Sequence, residues 1–320
     1  MSNDKTAPYI EVLVGSLFPA QHAQALWPAI QEHAPRLSRW LIRSQGQWYA
    51  HDALKHRCAA HEHYLLQHIG FKPLPQQPLG AGMALILALR AGFGQINKEK
   101  KHVWIAELIH LAPGREGANL LPARLLEIHS QESQDLLYSL QDYIQDTPFD
   151  FTPLTPTHWL VHSSEPLPLH KATVELAFNS TVQDWWDTSD QGRAWRQWVN
   201  EIQMIWFQHP VNHQRHAQGA PVLNSLWLMG GAHTQQLTHP IRHWPHINYS
   251  LEQSYREQDW GAWLQQLAQL DQQWHKQFPD QIVFTGESGF LVCESATPRS
   301  WLHRFFTKHK TGHLCWLNPN

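Results

Sequence analysis

The sequence predicts an α/β fold on three observations. Short apolar or β-branched runs, such as Ile10 to Gly15, Val103 to Leu111 and Gln281 to Thr285, give way to glycine or proline, as strands do. Stretches with apolar residues at helical spacing lie between them. The two kinds interleave along the chain with no internal repeat and no low-complexity tract.

Each element follows from its local pattern. Ile10 to Gly15 reads as a buried strand. Gln21 to Ser44 carries Leu26, Ile30, Leu37 and Leu41 near helical spacing, but Pro28 and Pro35 cut it, so two short helices are expected. His51 to Ile69 reads as one helix ended by Gly70, and Gly82 to Ala91 as another. Val103 to Leu111 and His158 to Ser163 read as strands on either side of a helix over Ser130 to Ile144. Gly192 to Gln208 is strongly amphipathic, with Trp195, Trp198, Ile202, Ile205 and Trp206 near one stripe. Val222 to Met229 reads as a strand before Gly230 and Gly231, Asp259 to Gln277 as a helix and Gln281 to Thr285 as a strand.

Composition narrows the function. With 320 residues and 42% hydrophobic content, the chain can bury a real core in one large domain or two modest ones. A formal net charge of -3 gives no electrostatic case for general nucleic-acid binding, although it leaves room for local basic patches. The three cysteines, Cys58, Cys293 and Cys315, have no C-x-x-C spacing, so neither a disulfide framework nor a thiolate zinc site is expected. The longest apolar run, Met83 to Ala91, is broken by Arg90 and falls far short of a membrane span. The expected location is the reducing cytoplasm, with no membrane and no nucleic-acid partner.

The densest information lies in His209 to Gly231, HPVNHQRHAQGAPVLNSLWLMGG. Pro210 should stop or kink the preceding helix and leave nearby backbone groups in need of partners. On a helical turn His209, Asn212 and Arg215 or His216 share a face, and an imidazole, an amide and a guanidinium together can cradle an anion. The plain alternative is a helix-to-strand connector whose polar groups satisfy one another.

The pattern HPVN-x-x-R-x-x-x-G-x-P-x-x-N-S-x-W-x-x-G-G resembles the segment of archaeal-type, cofactor-independent phosphoglycerate mutases in which the substrate-binding insert returns to the phosphatase-like core. It is closer still to the bacterial RpfE-like branch, often labelled regulatory, whose NEIQM stands here as Asn200 to Met204. Fainter similarities run through Ala34 to Gly46, Leu65 to Pro73, Trp104 to Leu111 and Asp259 to Asp271. The resemblance implies a reduced alkaline phosphatase-like core sheet flanked by helices, with an inserted α+β domain. It divides the chain into 1–100 (first part of the core), 101–208 (insert) and 209–320 (return segment and rest of the core).

Active mutases of this kind use two divalent metals and a phosphorylated serine, with the first ligand in a D-G-x-G-D turn after the first strand. Here that turn reads Val14-Gly15-Ser16-Leu17-Phe18, without an aspartate, and the family's late D-x-x-x-H and D-x-x-G-H clusters are expected to have no counterpart between Gly231 and Asn320. Glu287, after the last predicted strand, cannot hold two metals alone. Without metal the serine lacks activation and a transferring phosphoryl group lacks a charge sink. Ser16 itself reads as a turn serine, since no G-x-S-x-G elbow surrounds it.

Three histidine clusters invite a metal reading: His56, Cys58, His61 and His63; His209, His213 and His216; His239, His243 and His246. With 24 histidines such spacings arise by chance, and prolines interrupt the last two, so no metal or cofactor is assigned. The 17 tryptophans read as core, with a surplus at the surface marking a protein interface. The expectation is therefore a non-catalytic, mutase-like regulatory protein that senses a small phosphorylated or carboxylated metabolite through His209, Asn212, Arg215 and Asn224, or meets a protein partner. The rivals are a metal-dependent mutase or phosphatase with relocated ligands and a tryptophan-rich interaction module.

Overall fold

The computed structural model describes residues 7–93, 102–114, 117–167, 171–238, 241, 243–295 and 312–317. Its strands in chain order are β1 (Ile10–Leu13), β2 (Ser44–Ala50), β3 (Val103–Gly114), β4 (Gly117–Leu121), β5 (Phe149–Thr155), β6 (His158–Ser163), β7 (Ser225–Ala232), β8 (His246–Asn248), β9 (Gln281–Thr285) and β10 (Gly289–Ser295). Helices alternate with them, and the fold is of the mixed α/β class. The chain divides into two compact units, Met1–Asp52 with Pro240–Asn320, and Ala53–His239. These bounds differ from the expected ones at 100 and 208.

In the first unit a sheet of order β2-β10-β9-β1-β8 is parallel around β1 and antiparallel beyond β9. Val12 of β1 stands opposite Ile247 of β8 and Val283 of β9. A strand between two parallel neighbours is covered on both faces, which is why β1 is buried at every position. Helices Ala20–His33, Pro35–Arg43 and Trp260–Gln273 contribute Ile30, Leu37, Leu41, Trp263 and Leu267 to the same core. Pro28 is accommodated inside the first of these helices, whereas Pro35 opens the second, so the expected break falls at Ala34.

In the second unit β3 runs antiparallel to β6 and β7 through its first half and to β4 through its second, and β5 pairs with β6. Helix Arg193–Phe207 buries Trp195, Trp198, Ile202 and Trp206, four of the five residues of the expected stripe. The buried Trp159 indole N–H donates to Ser133 at 2.9 Å. The β3/β7 register shifts between Val103 and Trp104, where Gly230 has φ +126° and an added Cβ would lie 2.4 Å from the Val103 carbonyl oxygen. Only glycine fits that bulge. The helix expected over His51 to Ile69 is interrupted: Arg57 takes φ +55°, its carbonyl accepts from Thr173 N–H at 3.0 Å, and the helix starts again at Ala60.

Candidate functional site

In open sheets ligands gather beyond the carboxyl ends of parallel strands, so the turn after β1 is the first place to look. Ser16 there is 1% exposed. Its hydroxyl donates to the Leu13 carbonyl at 2.7 Å and accepts from Thr285 N–H at 3.1 Å, while Ser16 and Leu17 N–H both donate to the Thr285 carbonyl. The turn's own carbonyls are capped by aromatic side chains: Trp263 donates to Gly15 at 2.9 Å, Trp316 to Ser16 at 3.1 Å and Tyr255 to Leu17 at 3.1 Å. Phe18 sits among Tyr255, Trp260, Trp263 and Trp316 at ring separations of 5.0 to 6.0 Å.

This turn does not fit a dinuclear metal centre. It has no carboxylate, its hydroxyl is committed on both sides, and a Cβ on Gly15 (φ +69°) would stand 2.9 Å from the Tyr255 Cβ. Glu287 is exposed beyond β9 and adds to burial in pushing the Tyr255 phenol up to about 12. Contrary to expectation, one literal D-x-x-x-H does lie after Gly231, Asp271 to His275. Asp271 is buried and accepts from the N–H groups of Arg36 (3.2 Å) and Leu37 (2.7 Å), capping a helix start, while His275 is exposed.

The structure brings the four residues of the central segment to one connector, in the second unit. His209 caps helix Pro210–Ala217, its Nδ1 accepting from Val211 N–H at 3.3 Å, and burial lowers its pKa. The Asn212 amide donates to the Trp206 and Leu223 carbonyls (2.9 and 2.8 Å) and accepts from Leu223 N–H at 2.7 Å. Arg215, 3% exposed, donates from Nε to Pro221 O at 2.7 Å, from Nη1 to both Glu132 oxygens (2.9 and 3.1 Å) and from Nη2 to Leu126 O. Asn224 continues the sheet ladder, exchanging hydrogen bonds with the Leu111 backbone at 2.8 Å each way. Asn212, Arg215 and Asn224 thus latch the path from helix to strand, and β7 starts at Ser225 rather than at the expected Val222.

The histidine clusters separate. His213 and His216 are exposed, whereas Asn212 and Arg215 on the same helix are buried. His239 lies outside the described residues. His246 stands on β8, where its Nδ1 meets Glu11 at 2.9 Å. Of the first cluster His56 and His63 come together, with ring centroids 4.3 Å apart and nitrogens within 4.8 Å of one another.

Two polar assemblies were not anticipated from sequence. Glu11, 1% exposed within β1, accepts from Tyr9 OH (2.7 Å) and Asn248 (2.8 Å) besides facing His246. Its signal was a lone acid in an apolar strand. Lys171 and Asp187 form an ion pair at 3.1 Å beside Trp185, Trp186, Trp195 and Trp227, and burial lowers the lysine's pKa. Nothing local announces that pair.

No protein-family model matches the chain, and no curated protein matches it. Among solved structures, the PH0037 protein of Pyrococcus horikoshii is similar at 8% identity, covering 90% of this chain and 87% of that one, with a TM-score of 0.39. The cofactor-independent phosphoglycerate mutase from Thermoplasma acidophilum DSM 1728 is similar at 12% identity, covering 90% of each chain, with a TM-score of 0.33. No helix among the described residues is long and apolar enough to cross a membrane.

Proposed function

We propose that this chain is a non-catalytic protein of phosphoglycerate mutase-like build, related to the RpfE-like regulatory branch, with a regulatory or metabolite-sensing role. One observation carries the non-catalytic part. The turn after β1, which in a working mutase supplies the first metal ligand, is here closed by aromatic caps and has no room for a side chain at Gly15. The proposed ligand class is a small phosphorylated carboxylate. Because Asn212, Arg215 and Asn224 are engaged with their own protein, they act in this reading as the frame of the site, and His209 at its half-buried edge is the group left to meet an anion.

The test is a mutase assay with added manganese, together with metal analysis of the purified protein and calorimetric titration of 3-phosphoglycerate. The reading expects no turnover and a saturable heat that weakens in His209→Ala. Chelator-sensitive turnover with stoichiometric metal overturns the non-catalytic part. Titration without heat removes the metabolite. The closeness of the His56 and His63 nitrogens favours a second reading, a relocated-ligand metalloenzyme, and the same metal analysis decides it.

A further inference from the structure

The first unit carries a cationic trough that plays no part in the site above. Helix Pro35–Arg43 buries Leu37, Ser38 and Leu41 and turns Arg36, Arg39 and Arg43 outward at i, i+3 and i+7. The end of helix Trp260–Gln273 and the residues after it add three glutamines, Gln269, Gln272 and Gln273, and then His275 and Lys276. Two adjoining hollows of about 860 and 600 Å³ share Arg36 and His275, and among the described residues no aspartate or glutamate lines either. Four fixed cations, Arg36, Arg39, Arg43 and Lys276, therefore line one surface of a chain whose net charge is -3. Among the described residues, only Arg36 of these four pairs with a carboxylate, the buried Asp271 at 3.8 Å.

We propose that this trough docks an acidic, extended segment of a partner protein. Small ligands bind where most of their surface is enclosed, whereas these hollows lie open along their length and suit a chain laid across them. The three arginines step along their helix by about 4.5 and 6 Å. Side chains on one face of an extended peptide recur roughly every 6.6 Å. Alternate carboxylates can thus meet successive guanidinium forks, a bidentate match in which arginine excels. The glutamine amides both donate and accept, as the unpaired N–H and C=O groups of an extended backbone require.

A single-stranded nucleic acid is the weaker occupant, because it needs free ring faces for its bases to stack on. The aromatic groups of the trough pack on one another instead: Trp274 against Phe278 at 5.3 Å and Phe278 against Trp40 at 5.5 Å. Trp274 is 4% exposed, and the Trp40 indole N–H is held by Ser295 at 2.9 Å.

The experiment measures fluorescence anisotropy of a labelled peptide of about twelve residues alternating Glu and Ser, titrated with the full chain. A Gln–Ser peptide and an oligothymidylate of equal length serve as comparisons. Saturable binding of the Glu–Ser peptide alone is expected, weakening at least tenfold between about 0.05 and 0.5 M salt. The exposed double variant Arg39→Glu/Arg43→Glu should lose binding at least tenfold with an unchanged melting temperature, and Lys72→Glu in the second unit should keep it within about twofold. Equal affinity in wild type and double variant, no binding to the Glu–Ser peptide, equal binding of the Gln–Ser peptide, or tighter binding of the oligonucleotide overturns the proposal. Failure here leaves the reading of the β1 turn untouched, since the two rest on different residues.

Discussion

Glu62 makes the stability of this protein depend on pH in a direction opposite to that of most carboxylates. It lies on helix Ala60–His68, 3% exposed, with Oε2 accepting from Ala59 N–H at 2.7 Å and from the Thr173 hydroxyl at 2.5 Å. Burial, and then the charges of Glu175 and Glu107, push its carboxyl from the ordinary 4.5 to about 8, against those two hydrogen bonds. In the unfolded chain the carboxyl returns to its ordinary value, so between about pH 4.5 and about 8 folding takes up a proton. The contribution is full below pH 4.5 and is lost as the pH rises through 8, by roughly 1.4 kcal/mol per unit and on the order of 5 kcal/mol in all. Glu62→Gln keeps a carbonyl oxygen for both hydrogen bonds and has no proton to lose. Urea unfolding of both proteins should show the variant gaining on wild type by about 1 kcal/mol or more per pH unit, levelling near pH 8. The titrating histidines are common to both and cancel in the difference. Parallel stability curves for the two proteins would refute the reasoning.

Three further outcomes follow from the geometry. Arg215→Ala should lose about 3–5 kcal/mol in denaturant unfolding, because it strands Glu132 and two backbone carbonyls, those of Leu126 and Pro221, of a buried latch; a loss under 1 kcal/mol contradicts the latch. Gly15→Asp, which puts an acid into the β1 turn, should cost about 2–5 kcal/mol in thermal or urea unfolding from the positive φ and the contact with Tyr255, and should create no metal-dependent turnover. Asp187→Ala should destabilise by about 3–5 kcal/mol by leaving Lys171 unpaired beside its tryptophans, and adding Lys171→Met should recover most of the loss; additive losses in this cycle argue against the pair.

The strands that sequence reads well are those whose environment is uniform. β6 and β9 have the expected bounds, since HWLVHS and QIVFT are short, apolar and punctuated. β2, SQGQWYA, escapes because it lies at a sheet edge and alternates buried and exposed positions with polar residues, so its signal resembles a loop. β8 and β10 are too short or too close to a glycine turn to stand out. The break at Arg57 depends on Thr173, more than a hundred residues away, and no local pattern contains it. The candidate site divides in the same way. The sequence places Asn212, Arg215 and Asn224 in one segment, but the partners their side chains meet include Glu132, Leu126 and Leu111 on distant elements. Residue type identifies a group that can bind an anion; only the fold decides that it binds its own backbone.

The pairing of β1 also bears on how the chain is made. Both of its partners, β8 and β9, are parallel and come from beyond residue 245, after the whole of Ala53–His239. At synthesis rates of about 5–20 residues per second, the newborn amino-terminal strand waits on the order of 10–50 s for its neighbours, with an apolar edge exposed throughout. Chaperone capture of nascent chains arrested short of residue 285 would register that interval, and release should coincide with the emergence of Gln281–Thr285 from the ribosome.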